Sequence, residues 1–213
     1  MRYGSIPGSS GTVRPVRLFG DPALHAPCAE VTDFGVDLVR LVESMFASMY
    51  AANGVGLAAN QIGVPLRVFV YDCPDDEDRR HLGHLVNPRP VRVGGVRVTG
   101  AEGCLSLPGV ESGTRRYDEA VVAGFDVRGE PVTVTGTGFF ARCLQHECDH
   151  LDGTVFTDRL RGPRRARALW AARRADRAGA EAQNPGLPAL SPAAASRPQS
   201  RSARLRTSWS REI

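Results

Sequence analysis

Two histidines with a glutamate beside the first, His146, Glu147 and His150, constrain this chain more than any other feature. Histidines four positions apart lie one turn above each other on a helix, so both imidazoles can reach one metal ion. The glutamate then lies near the remaining metal position, where it can take a proton from bound water. The His-Glu-Cys-Asp-His run therefore predicts a helix that carries the machinery of metal-assisted hydrolysis.

The residues around this run also favour a helix. Gly138 and Gly153 bracket the segment, and Thr137 stands where an N-cap is expected. Large apolar side chains occur on both sides of the run, at Phe139, Phe140, Leu144 and Leu151. We therefore predict a capped helix with one apolar face.

A catalytic metal site usually has three protein ligands and a water molecule, so one ligand is still to be found. Gly153 follows at the HExxHxxGxxH spacing, but the position that should hold the third histidine is Phe156, and no histidine follows His150. The two downstream glutamates, Glu181 and Glu212, lie in a polar tail. The third ligand must therefore come from upstream.

Two upstream cysteines are candidates for the third ligand. Cys104 follows a strand-like stretch at residues 96–99, and Gly103 beside it permits a close approach of the backbone to a ligand. Cys143 is the rival by geometry, because it lies one turn before His146. On this reasoning alone both cysteines remain open.

The other candidate ligands have simpler interpretations. Cys148 is two residues from each histidine, so it points to the far side of the helix and is expected to be a small buried apolar group. Polar or proline-rich surroundings predict loops around the remaining four, which are Cys28, Cys73, His81 and His84.

Three short motifs together resemble the peptide deformylases, metallohydrolases that remove the formyl group from the initiator methionine of new bacterial chains. The motifs are Gly-Val-Gly-Leu-Ala-Ala-Asn-Gln at 54–61, Glu-Gly-Cys-Leu-Ser at 102–106 and Gln-His-Glu-Cys-Asp-His at 145–150. They occur in the family's order, and the resemblance runs from about Arg14 to Gly162. The chain departs from the family at Cys148, where an apolar residue is usual.

The resemblance implies a role for each motif. Glu147 would be the general base and then the acid that protonates the departing amine. The Gln61 amide and the backbone N–H of Leu105 would hold the formyl oxygen as it becomes an oxyanion. The cofactor would be Fe²⁺, with Zn²⁺ or Ni²⁺ able to substitute and water as the fourth ligand. The metal ligands would be Cys104, His146 and His150.

The expected substrate is an N-formylmethionyl nascent peptide. Gly56 and its neighbours would pair with the substrate backbone as an added strand, and side chains before the metal helix would shape an apolar methionine pocket. The residues predicted to bind substrate are Val55, Gly56, Gly103, Phe139, Phe140 and Cys143.

Two other functions compete with this interpretation. A generic HExxH peptidase would cleave internal peptide bonds and would need a third ligand other than Cys104. A ribosome-associated binding protein with a closed metal site would not require Gln61 or Glu147.

Composition separates a catalytic part from a basic tail. Residues 161–213 hold 12 arginines against three acidic residues, and their net charge of +9 leaves −5 for residues 1–160 when the total is +4. The five cysteines, an odd number, fit a reducing cytoplasm. The sequence has no run of about 18 apolar residues and no apolar segment typical of a secretory signal, so we expect no membrane span.

We predict an α+β fold, with small antiparallel or mixed sheets packed around the central HExxH helix and with a C-terminal helix. The elements expected before the HExxH helix are a helix over 36–52, strands at 67–72, 84–93, 96–102, 120–127 and 131–135, and a solvated acidic loop at 74–80. The domain prediction is a flexible extension at 1–13, a catalytic domain at 14–162, a basic helix at 163–183 and a disordered tail at 184–213.

The basic helix suggests one partner. Its arginines could bind ribosomal RNA through phosphates, where a deformylase would meet new chains. We expect a cytoplasmic monomer that binds neither a membrane nor a specific DNA sequence.

Overall fold

The computed structural model describes residues 7–183, with side chains as far as Arg174. Five strands form one antiparallel sheet in the order β1-β2-β3-β4-β5. The strands are β1 (Gly56–Ala58), β2 (Val68–Pro74), β3 (Arg80–Gly103), β4 (Glu111–Phe125) and β5 (Pro131–Thr137). The α-helices are α1 (Val36–Ala51), α2 (Gly138–Leu151) and α3 (Gly162–Gln183). The predicted α+β fold is confirmed.

The sheet lies between α1 and α2, because successive side chains of a strand point to opposite faces. On β2, Phe69 and Tyr71 pack in one buried cluster with Phe140 and Leu144 of α2. The alternate residues of the same strand pack in a second cluster with α1. Full burial of a large apolar side chain stabilises the fold by about 1.5–3 kcal/mol, so this packing fixes α2 against the sheet.

The two ends of α2 are held differently. Gly153 adopts φ 72°, as expected for a residue just past a helix end. Thr137 occupies the N-cap position but makes no capping bond with its side chain. Instead, Asp76 accepts a hydrogen bond from the Phe139 N–H at 2.9 Å. The predicted N-cap position is therefore confirmed, but a carboxylate distant in sequence accepts the capping hydrogen bond.

The strand predictions needed two corrections. The strands expected at 84–93 and 96–102 are one strand, β3, because Gly95 adopts φ 77° within a bulge and pairing with β4 continues beyond it. β4 begins at Glu111, well before the strand expected at 120–127. Its first half is polar, so the alternation that marks a half-buried strand is weak there.

Two residues expected in loops, Cys73 and His81, lie in strands, and His84 lies within the strand expected at 84–93. Cys73 is buried in β2, while His81 and His84 belong to β3. His84 accepts a hydrogen bond from the Val127 N–H at 3.1 Å. Asp75, in the acidic stretch expected to be solvated, is buried and bonded to His81 at 3.0 Å. These polar groups are satisfied by the protein, which explains why the surrounding polarity misled the sequence-based prediction.

The N-terminal residues that the structure describes lie along α1. The backbone N–H groups of Gly8 and Arg14 donate to the side chains of Glu43 and Ser48, both at 2.9 Å. The flexibility predicted for residues 1–13 stays a prediction. The tail at 184–213 falls outside the described residues. Within the described part, no helix has the length and apolarity needed to cross a membrane.

Candidate metal centre and active site

Three side chains converge where the end of β3 meets α2. The ligand atoms of Cys104, His146 and His150 all lie within 4.8 Å of one another. The Nε2 atom of His150 is 3.2 Å from Cys104 Sγ and 3.1 Å from His146 Nε2. Cys143 is absent from this group, the one such group found among the described residues. The geometry therefore favours Cys104 over Cys143 as the third ligand.

The electrostatics of the two histidines suit a cation. Glu102 Oε1 lies 2.8 Å from His146 Nδ1, which leaves Nε2 facing His150. Burial would lower the pKa of His146, but its contacts with Cys104 and Glu102 raise that pKa well above the usual value, so positive charge is favoured here. Burial lowers the pKa of His150, which keeps its imidazole neutral and able to bind a metal. One sulfur and two imidazole nitrogens fit a divalent transition metal.

A buried network of charges contacts His146 on the side of its Nδ1 atom. This Glu102 network consists of Glu102, Arg116, Arg142 and Asp149. The two oxygens of Glu102 accept from Arg116 at 2.6 and 3.1 Å, and one of them also accepts from Arg142 at 3.0 Å. Arg116 reaches Asp149 of α2 at 2.6 Å. Burial opposes ionisation of Glu102, yet its hydrogen bonds with His146 and Arg116 hold its pKa well below the usual value.

The β4 residue that pairs with Glu102 is Arg116, whereas the adjacent Arg115 is exposed. Arg142 was not foreseen as a site residue. A signal for it was present, because Arg142 stands four residues before His146 and so shares its helix face.

The first motif meets the other two in space. Gln61 accepts a hydrogen bond from the Ala58 N–H at 2.9 Å, which orients its amide. Its Nε2 donates to Ser106 Oγ at 3.1 Å and lies 3.4 Å from Cys104 Sγ. Asn60 donates to the backbone oxygen of His150 at 2.7 Å. The motifs thus form one connected site.

Glu147 lies at the base of this site with a free acceptor. It is 2 % exposed, and burial raises its pKa to about 7. Its Oε2 atom is buried without a hydrogen-bond partner in the described part of the chain. A Cβ on Gly56 would overlap Glu147 Oε1 and lie 3.0 Å from Cys143 Sγ. Gly56 therefore leaves the room that the Glu147 carboxyl occupies.

A cavity of about 720 Å³ opens over these groups. Its walls include most of the residues predicted to contact substrate, which are Val55, Gly56, Gly103, Leu105, Phe139 and Cys143. Phe140 does not line it, because this side chain is 1 % exposed and packs in the core. The prediction for Phe140 was therefore wrong. The loop from Pro108 to Glu111, which was not singled out from the sequence, supplies another part of the wall.

The two other cysteines of α2 do not close the site. Cys148 packs in the core cluster, as predicted, and burial raises its pKa to about 12. A hydrogen bond with Cys73, together with burial, raises the pKa of Cys143 well above the usual value. Neither thiol belongs to the group of converging ligand atoms found among the described residues, so the geometry keeps both apart from the metal position.

The fold and the site define a class of protein, the α+β hydrolases in which an HExxH helix and an adjacent strand end supply the metal ligands. Residues 13–166 match the family model for polypeptide deformylase. The chain belongs to this family, whose members are hydrolases that remove the N-formyl group from nascent peptides.

Individual relatives agree with this assignment. Peptide deformylase 2 of Streptomyces coelicolor is 71% identical over 177 residues, covering 80% of this chain and 99% of the relative. A solved peptide deformylase from Legionella pneumophila is 37% identical with a TM-score of 0.72, covering 79% of this chain and 98% of its own. The Ehrlichia chaffeensis enzyme in complex with actinonin has a TM-score of 0.73 and 33% identity, covering 78% of this chain and 99% of its own.

Proposed function

We propose that this chain hydrolyses the formyl group from N-formylmethionyl peptides and releases formate. The observation that carries this proposal is the convergence of the Cys104, His146 and His150 donors beside a cavity that Glu147 and Gln61 also line. A hydrolase of formamides needs a metal site, a base and an oxyanion donor in contact with the same bound group.

The metal would be held by Cys104, His146 and His150. We propose Fe²⁺, with Zn²⁺ or Ni²⁺ able to substitute, since one thiolate and two imidazoles suit all three ions. When bound, the ion supplies a Lewis acid that polarises the formyl group and lowers the pKa of a water molecule. The Glu102 network holds His146 in the orientation that this requires.

Glu147 would move the proton. Its Oε2 atom has no competing hydrogen bond from the described protein, so it can accept a proton from the attacking water. A carboxyl whose pKa lies at about 7 can then return that proton to the departing amine. Burial therefore suits one residue to both transfers.

The formyl oxygen would be held by two N–H donors, the Gln61 amide and the Leu105 backbone. The bond from Ala58 fixes the Gln61 amide before substrate arrives, so little reorganisation is needed as negative charge develops. An oxyanion donor of this kind commonly contributes about 2.7–4 kcal/mol to the transition state. Leu105 follows the ligand Cys104 directly and lines the cavity.

The peptide would lie along the cavity wall as an added strand. Val55, Gly56 and Gly103 would pair with its backbone, since they line the cavity beside the edge strand β1 and glycine permits a close approach. Phe139 and Cys143 would contact the methionine side chain from α2.

We further propose a cytoplasmic monomer that meets new chains at the ribosome through α3. Exposed arginines on this helix and directly before it, including Arg161, Arg173 and Arg174, could bind RNA phosphates. Replacing these three by glutamate should abolish co-sedimentation with ribosomes at low salt. Unchanged co-sedimentation would remove this part of the proposal.

The deformylase proposal is tested by formate release from formyl-Met-Ala-Ser with anaerobically purified protein. Cys104→Ala should lose both metal and activity, whereas Glu147→Ala should keep the metal and lose activity. Cys148→Ala is the matched control, because this thiol faces the core and should leave turnover intact. Absence of formate from a metal-loaded wild-type sample would refute the proposal, and cleavage of acetyl-blocked peptides at internal bonds would favour the generic peptidase.

A further inference from the structure

A second cavity of about 330 Å³ lies next to the active-site cavity. The two share three consecutive wall residues, Gly109, Val110 and Glu111. A peptide that leaves the first cavity along these shared residues would come next to the second.

The opposite wall of the second cavity belongs to α3. Arg164 and Arg167 line it, and they lie on one face of the helix because they are three positions apart. Both are exposed, and neither takes part in an ion pair within the described residues, whereas the intervening Arg165 pairs with Asp158 at 3.3 Å. Two positive charges thus face the cavity without a partner.

The register of the sheet places these charges close to the metal centre. Gly103, which precedes the ligand Cys104, pairs with Glu111, and Ala101 pairs with Gly113. Arg164 Nη1 lies 3.9 Å from the point that a Cβ on Gly113 would occupy. The step from Glu111 to Gly113 is about 7 Å along a strand, and an extended peptide advances about 3.3 Å per residue. A peptide that runs from Cys104 along this wall would therefore reach the arginines within a few residues of the formylated methionine.

We propose that the second cavity is a substrate subsite, in which Arg164 and Arg167 bind an acidic side chain of the nascent peptide a few residues after the methionine. This inference rests on the proposed deformylase function. Glu111 is the acidic group on the shared rim, and its charge disfavours an acidic residue directly beside it. The enzyme should therefore prefer an acidic residue only at those peptide positions that lie beyond Glu111.

The three wall residues that the two cavities share favour a peptide over an RNA phosphate as the occupant of the second cavity. A phosphate would bind equally well to any exposed arginines of α3, and the shared residues 109–111 would add nothing to that contact. A substrate peptide, in contrast, is already anchored in the first cavity, so that a weak second contact acts at high effective concentration.

The test compares kcat/KM for six-residue formyl-Met peptides that carry one Asp or one Lys at each position from three to six. At one of these positions the full-length, metal-loaded enzyme should prefer Asp by about fivefold at low salt, as expected for one or two exposed ion pairs. The preference should fade in 1 M NaCl, where the screening length is about 3 Å. Arg164→Glu/Arg167→Glu should reverse it.

The matched control is Arg173→Glu/Arg174→Glu, which makes the same charge change on the same helix away from the second cavity. It should keep the preference for Asp. Equal rates for Asp and Lys at every position, or equal effects of the two double variants, would overturn the subsite while formyl-Met-Ala-Ser still releases formate. A double variant at 164 and 167 that weakens ribosome binding but leaves the peptide preference intact would also overturn it. Absence of formate from every peptide would refute the deformylase function itself.

Discussion

At the scale of single residues, the site requires a residue without a side chain at position 56, where the chain has Gly56. A methyl group there would overlap the Glu147 carboxyl. We expect Gly56→Ala to lower kcat for formate release by about 100-fold, the loss that a displacement of about 1 Å can cause. Metal content should remain unchanged, because the three ligands are not touched.

The control for this prediction is Gly94→Ala in the exposed part of β3. The nearest atom to a Cβ at this glycine belongs to the flexible side chain of Arg92, at 3.6 Å. Its kinetics should match the wild type. A wild-type kcat in Gly56→Ala would show that the carboxyl moves aside without loss.

Burial of Glu147 should lower the free energy of unfolding of the metal-free protein at high pH. Burial raises its pKa in the folded chain to about 7, whereas the pKa of a glutamate in an unfolded chain is about 4.3. Between these values the folded state binds more protons, so the free energy of unfolding falls as pH rises. The metal-free Glu147→Gln protein should therefore exceed the metal-free wild type at pH 8 by about 3 kcal/mol, with the difference vanishing near pH 4. Urea denaturation in EDTA measures the free energy of unfolding of the two proteins at each pH. A more stable wild type at pH 8 would contradict the prediction.

Single-residue geometry was predictable where helix periodicity alone decides it. Cys148 was assigned correctly to the far side of α2, because its direction follows from its spacing to His146 and His150. Phe139 and Phe140 were assigned to the same pocket, yet consecutive helix residues point about 100° apart and only Phe139 reaches the cavity. The choice between them depends on tertiary packing.

At the scale of elements, the Glu102 network ties α2 to the sheet. Arg116 of β4 bridges Glu102 of β3 and Asp149 of α2, and all three are buried. Removing one partner of a buried ion pair leaves uncompensated charge and costs about 3–5 kcal/mol. We therefore expect Arg116→Ala to lower the free energy of unfolding by this amount and to release metal, as measured by denaturation and metal analysis.

The neighbouring Arg115 is the matched control, since its side chain is exposed. Arg115→Ala should change stability by less than about 0.5 kcal/mol.

Because the pKa of Glu102 is lowered in the folded state, its stabilising contribution is present at neutral pH and is lost as pH falls. The gap between the two variants should therefore shrink in acid. Equal stabilities at pH 7 would exclude a structural role for this network.

Helix α1 and the HExxH helix were predicted within a residue or two because their apolar periodicity is strong. The sheet was harder to predict. Gly94 and Gly95 have the composition of a turn, but pairing with β4 continues past them after a register shift. Local sequence cannot show this, because the partner strand supplies the hydrogen bonds that turn a glycine pair into a bulge.

At the scale of the whole molecule, the division between an acidic catalytic part and a basic end was visible in the charge distribution, but the attachment of α3 was not. Ala168 and Ala172 are buried with Phe156 and Leu160 in a cluster that also contains Val110 of the cavity wall. Alanines in an arginine-rich helix carry little hydrophobic signal, so the sequence did not predict that α3 packs beside the active site.

This packing predicts different results for two truncations. A chain that ends after Arg161 lacks α3 and exposes the cluster around Phe156, so it should lose about 2–3 kcal/mol of stability, estimated from the buried methyl groups of α3. Its KM for formyl peptides should rise, because Val110 borders both the cluster and the cavity. A chain that ends at Gln183 keeps α3 and should match the full-length protein in thermal unfolding and kcat/KM, since the match to the family ends at residue 166. Equal melting temperatures for both truncations would show that α3 contributes nothing to the catalytic unit.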